Sequence, residues 1–366
     1  MEEEKKRILT MLQDGKITAE TAYKILEELE QSEKENEQKG QLLKNELSAD
    51  IKEVESAGKK EEQWKQNIQS SKDKVMDFIE SAVKKIKEVD LDFNFGKSVD
   101  VSHIFQFGPQ DLSKVLVDIA NGKTEIVAWD QQEVRIECRA KVYRMEDLDE
   151  ARETFLKNTK ASLDDGSLLF RVREKSIKVE TTIYVPDRLY EEIEVRIFNG
   201  SIGGKRLNAE KLKAKTANGA IKLQEVTGED CELETGNGAI ELGSSTYGKL
   251  EAETLNGTIH IDGSFEKADV QSFSGQVHLL NKKTDCESMK VRTTTGKIQM
   301  FLPVGTPVSG ELKTNLGGFT VNVEGISIIE EKSESLQKVM RFKTAKEPQP
   351  QLHISADSKT GQIVIT

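Results

Sequence analysis

The sequence predicts a mainly β protein, a single-stranded right-handed β-helix or solenoid behind a helical N-terminal region, and three observations lead there. The first is a short pattern that returns seven times between Val195 and Val321 around a central glycine, at Gly200, Gly219, Gly238, Gly257, Gly275, Gly296 and Gly317. Successive steps are 19, 19, 19, 18, 21 and 21 residues, a near-constant period of the kind that marks stacked repeats. The second is period-two alternation on both sides of the glycine. Val195, Ala214, Leu233, Ala252, Val270, Val291 and Leu312 stand five before it, and Ile202, Ile221, Ile240, Ile259, Val277, Ile298 and Phe319 two after it. Leu223, Leu242, Ile261, Leu279, Met300 and Val321 follow at four after, with Gly204 the exception. Polar residues fill the positions between, so each copy reads as two short strands around a turn, with the apolar columns inward. The third is a column of hydroxyls three before the glycine, Thr216, Thr235, Thr254, Ser272, Thr293 and Thr314, suited to bonding the backbone of a neighbouring coil.

Asn-Gly also announces hairpins, so a meander is the rival geometry. Equal spacing between successive pairs favours coils, in which like residues fall over like residues about 4.8 Å apart.

The elements follow in chain order. Residues 1–30 carry Ile8, Leu9 and Leu12, then Asp14-Gly15, then Ala22, Ile25, Leu26 and Leu29, which reads as a short helical hairpin with Thr18 as the second N-cap. Such a hairpin is too small to fold alone and reads as an interaction segment, through a protein partner or self-association. Residues 31–62 are rich in Glu, Lys and Gln and read as a charged linker or weak helix. In 63–90, Ile68, Val75, Phe78, Ile79, Ala82, Val83 and Ile86 recur at helical spacing beside Trp64, Lys72, Lys74, Lys84, Lys85 and Lys87. This amphipathic helix has two uses, covering an open end of the solenoid or making weak contact with an anionic membrane. From Leu91 to Thr366 the pattern is β, with one helix over Asp147–Lys160, a turn at Asp165-Gly166, and closing strands from His353 with Gly361 at their turn.

The repeats, the approach through Tyr184-Val185-Pro186 and Val195-Arg196-Ile197, and the earlier Ile119-Ala120-Asn121-Gly122 resemble the bacterial "putative adhesin" β-helix family of unknown function. With its N-terminal helical segment the chain resembles the LiaX and YvlB type of that family. The resemblance implies a role in cell-envelope stress or antimicrobial-peptide sensing, and it brings no catalytic residues with it.

Composition narrows the classes further. A net charge of −11 argues against nucleic acid as a partner, since phosphate binding needs clustered Lys and Arg. Cys138, Cys231 and Cys286 are odd in number and lack paired spacing, which fits a reducing compartment. Cys231 falls in the column of Leu212 and Leu250 and is expected to be buried. The N-terminus lacks a secretory signal pattern, and no run reaches about 18 apolar residues. The expected location is the cytoplasm, with membrane association as an option; the resemblance raises the alternative of the cell surface by a non-classical route.

No Walker loop, GxSxG, HExxH or EF-hand loop occurs. The sequence therefore assigns no catalytic, cofactor-binding or metal residues, and the expected function is a non-enzymatic binding or scaffold protein. A polysaccharide-binding or polysaccharide-cleaving β-helix is the alternative, and its carboxylate pair would be Glu234 and Glu253, which share an outward column one coil apart. His260 and His278 are likewise expected to touch across one coil spacing, as two ligands too few for a zinc site.

Overall fold

In the computed structural model, which describes residues 97–333, 337–344 and 352–366, the chain enters through β1 (Ser98–Phe107), the long bent β2 (Lys114–Trp129) and β3 (Val134–Tyr143). Then come α1 (Leu148–Lys157), β4 (Thr159–Asp164), β5 (Ser167–Val172) and β6 (Ile177–Pro186). The helical hairpin expected at 1–30, the linker at 31–62, the amphipathic helix at 63–90 and the strand onset at Leu91 lie outside the described residues.

The repeats follow as β7 (Leu189–Asn199), β8 (Ile202–Lys205), β9 (Asn208–Asn218), β10 (Ile221–Gln224), β11 (Thr227–Asn237), β12 (Ile240–Asn256), β13 (Ile259–Ser274) and β14 (Val277–Asn281). The series continues through β15 (Ser288–Thr295), β16 (Ile298–Phe301), β17 (Val308–Thr314) and β18 (Phe319–Val321). Every pairing from one repeat to the next is parallel: Ile221 lies between Ile202 and Ile240, and Leu233 between Ala214 and Ala252. This is a mainly β, solenoid-like stack with two walls, and the hairpin meander is ruled out, because each strand's partners lie one repeat away and run the same way. The long-strand wall carries β7, β9 and β11, and the short-strand wall carries β8, β10 and β14.

The glycine marks the corner between the walls. Gly219 has φ +157, and a Cβ there would run into the carbonyl oxygen of Gly200 in the coil before it. A side chain is therefore excluded by the closeness of the stack itself. A second corner recurs six residues on, where Arg206, Glu225 and Ser244 have φ of 56°, 56° and 48°. The inward columns are buried as their alternation requires, from Ile202 through Ile298 on one wall and Val195 through Leu312 on the other. Phe319 and Val321 are the exceptions, half-buried because β18 is the last strand of its wall.

The ends depart from the expected succession of coils, which correctly describes only the middle of the molecule. After β18 the chain forms β19 (Ile326–Ser333) and β20 (Lys338–Thr344), antiparallel to each other, with β20 antiparallel to β17. It then returns as β21 (Leu352–Ser358) and β22 (Ile363–Ile365), which slide between two coils made earlier. β21 pairs in parallel with β15 on one side and β17 on the other, and β22 with β16 and β18. Gly317 therefore rests on Gly361, and Gly361 on Gly296, so the step from Gly296 to Gly317 spans two levels. The entry end is permuted in the same way. β2 bends so that its first half lies between β5 and β7 and its second half between β6 and β8.

Beyond these permuted coils the parallel stack gives way to antiparallel strands, β3 on β6 and β1 on β3 along one wall, β4 on β5 along the other. The Asp165-Gly166 turn joins β4 to β5 with both residues at positive φ. The helix that the spacing predicts over Asp147–Lys160 forms as α1, packed against β1 and β3 of one wall and β4 of the other. Asp147 caps it by accepting from the Glu150 N–H at 2.9 Å, and Ala151 and Phe155 on its inner face are fully buried.

Candidate functional site

The residues that could carry chemistry lie on the corners and on the two outward faces. At the corner, each hydroxyl of the inward polar column donates to the glycine carbonyl of the adjacent coil: Thr216 to Gly200 at 2.9 Å, Thr235 to Gly219 at 2.8 Å, Thr254 to Gly238 at 3.0 Å and Thr293 to Gly275 at 3.0 Å. Ser358 belongs to the same column and donates to Gly296 at 3.0 Å. These hydroxyls satisfy buried carbonyls, and a row of donors so committed is not a row of nucleophiles.

One residue before the glycine runs an asparagine ladder that the sequence reading treats only as turn chemistry. Nδ2 of Asn199 donates to Oδ1 of Asn121 at 3.0 Å, Asn218 to Asn199 at 2.8 Å, Asn237 to Asn218 at 2.9 Å and Asn256 to Asn237 at 2.9 Å. The Nδ2 of Asn121 ends the chain on the Lys175 carbonyl at 2.8 Å. The signal for it was present as asparagine at a constant offset. A carboxamide can donate and accept along a stack spaced by one coil, which a hairpin turn would not use.

The long-strand wall carries a charge ladder. Glu234 and Glu253 are register partners on adjacent coils, as the sequence predicts. Lys215 reaches Glu234 at 3.0 Å and Glu232 at 2.7 Å. Burial by itself would lower the Lys215 pKa, but the paired Glu234 and Glu232 raise it; the same Lys215 outweighs burial at Glu232 and holds that carboxyl low. Glycoside cleavage asks for one protonated carboxyl opposite one carboxylate. Here Glu234 is fastened to a lysine that also holds Glu232. Further along, Asp357 lies in register between Arg292 and Lys313, and burial raises its pKa against the pull of Lys359, Lys313 and Arg292.

On the short-strand wall His260 and His278 are register partners with ring centroids 4.4 Å apart and planes 11° from parallel, the contact their spacing predicts. Phe301 lies beside the pair, 4.7 Å from His278 with its ring tilted by 41°. Burial lowers the His278 pKa first and the neighbouring His260 lowers it further; its Nδ1 is buried without a hydrogen-bond partner. Among the described residues no group of three or more His, Cys, Asp or Glu is placed to hold a metal ion. An aromatic contact that the sequence does not announce is Trp129 with Tyr184, 5.1 Å apart on β2 and β6, with the indole N–H donating to the Glu133 carbonyl. No repeat spacing connects those two residues, so only the fold brings them together.

Cys138, Cys231 and Cys286 are buried and unpaired, with Cys231 between Leu212 and Leu250 as its column requires. Burial pushes the Cys138 thiol up to about 12 and Cys286 to about 11, so neither is a ready thiolate.

The family profile described as Toastrack DUF4097 matches residues 114–366, from the first repeat-like strand β2 to the intercalated β22. The chain belongs to the Toastrack DUF4097 family. A second profile, described as a SHOCT-like domain, matches residues 3–34, over the stretch whose spacing reads as a helical hairpin. Among Toastrack relatives, the "uncharacterized protein YvlB" of Bacillus subtilis (strain 168) is 41% identical over 363 residues, covering 99% of this chain and 98% of its own. Two solved structures are more distant. A "putative adhesin" of Bacteroides fragilis is 11% identical over 73% of this chain and 97% of its own, with a TM-score of 0.40. A "putative cell adhesion protein" of Clostridium sporogenes is 12% identical over 73% and 99%, with a TM-score of 0.25. No helix among the described residues is long and apolar enough to cross a membrane.

Proposed function

We propose that this Toastrack protein is a non-enzymatic binding or scaffold protein, in which a rigid right-handed solenoid presents the N-terminal helical segments to a protein partner or a second copy near the cell envelope. The observation that carries the reading is how the reactive side chains are committed. The hydroxyl column is donated to glycine carbonyls, the carboxylates beside Lys215 are ion-paired, and the thiols are buried. What remains outward is a pair of regular ladders, suited to holding something in place.

The finer parts of the proposal are a role in envelope stress or antimicrobial-peptide sensing and a cytoplasmic position with weak, reversible contact of residues 63–90 with anionic membrane. Each lysine near such a surface contributes about 1 kcal/mol. Cell fractionation with a protease-shaving control tests the location. Cross-linking in cells, with and without residues 1–30, tests the partner: a captured protein lost with that segment supports the scaffold, and equal capture without it would refute the role of the segment. Flotation with anionic liposomes should fall with salt, and equal flotation of a chain lacking 63–90 would remove that helix from the account. Loss of a glycan-cleaving activity on Glu234→Gln or Glu253→Gln would replace this reading by the enzymatic one.

A further inference from the structure

The end of the solenoid closed by α1 leaves apolar surface in water. Leu148 is 56% exposed and Leu156 39%, two turns apart on the flank of α1 beside its buried face. Around this end Val99, Phe105, Phe107 and Met145 are only half-buried against the core. The same surface is acidic. From Glu146 to Lys157 the exposed chain carries Glu146, Asp147, Asp149, Glu150 and Glu153 against Arg152 and Lys157, which is two positive charges and five negative, a net −3.

The upstream part of the chain is attached at this spot. The Arg144 N–H donates to the Lys97 carbonyl at 2.9 Å, and Lys97 Nζ meets Glu146 Oε1 at 2.9 Å. Lys97 is thus pinned beside the first turn of α1. Upstream of it in the sequence, Val75, Phe78, Ile79, Ala82 and Ile86 recur at helical spacing, with Lys84, Lys85 and Lys87 interleaved at the end of that run. The connection from Val89 to Lys97 spans at most about 28 Å at roughly 3.5 Å per residue, while α1 is about 15 Å long. A tether of that length holds the stripe at an effective concentration in the millimolar range, so modest complementarity suffices for docking.

We propose that residues 64–89 dock as an amphipathic helix along α1 of their own chain, with the apolar stripe on Leu148 and Leu156 and the three lysines toward the acidic run. Since one stripe serves both contacts, docking and lipid association of the segment are mutually exclusive. The inference does not depend on the scaffold reading, because it concerns a contact within one chain.

The test uses the full chain in the absence of lipid. Paired substitutions Leu148→Cys and Phe78→Cys are oxidised, and the native thiols do not compete because all three are buried. The expected result is a disulfide within single chains, formed at a rate independent of protein concentration, and none when Ile328→Cys at the far end replaces Leu148→Cys. Hydrogen exchange gives a second readout: Phe78→Glu with Ile79→Glu should speed exchange of the α1 amides by about tenfold and leave those of β11 unchanged. A disulfide only between chains, as mixing labelled and unlabelled protein would reveal, overturns docking within the chain. So does equal linkage to Ile328→Cys, or no linkage together with unchanged α1 exchange.

Discussion

The middle coils and the two ends of this solenoid obey different rules. From β9 to β13 each coil is laid on the one before it in chain order, with glycine over glycine throughout and asparagine over asparagine as far as β12. At the ends the chain goes out of order, β2 lying between β5–β6 and β7–β8, and β21–β22 between β15–β16 and β17–β18, before antiparallel strands take over. The difference teaches what each part must satisfy. An interior coil needs only to match its neighbours, and repetition of one pattern does that. A terminal coil must also stop the stack, and open parallel edges invite further pairing. Locking the outermost coils by a return of the chain and covering them with antiparallel strands or a helix meets that second demand.

The largest expected contrast comes from placing a charge in each region. Ile240→Asp puts an unpaired carboxylate into the narrow core and should cost upward of about 4 kcal/mol, whereas Ile329→Asp, on exposed β19, should stay within about 0.5 kcal/mol. Urea denaturation monitored by circular dichroism would measure both. Deleting residues 352–366 should strip hydrogen-exchange protection from β15 to β18, which would lose their shared neighbour, while β9 to β12 retain theirs. Equal loss across the molecule would show that the ends are not separable from the middle.

Glycine substitutions sharpen the contrast at smaller scale. Gly219→Ala drives a methyl into the Gly200 carbonyl and should cost about 2–4 kcal/mol, while Gly318→Ala meets nothing within 4 Å and should cost under about 0.5 kcal/mol. Thermal unfolding would rank them.

The paired imidazoles add a pH term. His278 in the folded protein has a pKa below its ordinary 6.5, from burial and then from His260, so the folded state binds fewer protons there than the unfolded chain does. Its contribution is full above about 6.5 and is lost as pH falls from there through the lowered folded value. His260→Gln should raise the His278 pKa, visible by NMR titration; an unchanged titration would contradict the stacking of those coils. The smallest effect is expected at the second corner. Glu225→Gly relieves a left-handed φ of 56° but frees the unfolded chain, for a net gain below about 1 kcal/mol in a denaturant titration.

The middle of the fold was legible because its cause is local and repeated. Three columns, at five before, three before and two after the glycine, state the burial and the hydroxyl bond of each coil, and Cys231 and the His260–His278 contact follow from the same register. The coil at Ala356, Ser358, Gly361, Ile363 and Ile365 carries the same columns and was still read only as closing strands. Its glycine comes 44 residues after Gly317, so a search for constant steps passes over it. Insertion between earlier coils is a property of the path, which no local pattern records. The ion pairs of Lys215 were hidden for another reason: the columns give its neighbours, but whether it serves Glu232, Glu234 or both depends on side-chain reach.

The intercalated coil also sets an order of events during synthesis. Residues 308–321 leave the ribosome before residues 352–365, which must lie between them and β15–β16. The growing chain therefore has either to hold a gap one coil high, about 4.8 Å, or to pack β17 directly on β15 and later open that contact. Both routes delay completion of this end relative to the middle, and the second makes it a place where a kinetic trap can form, one that a chaperone or a slow stretch of translation would relieve.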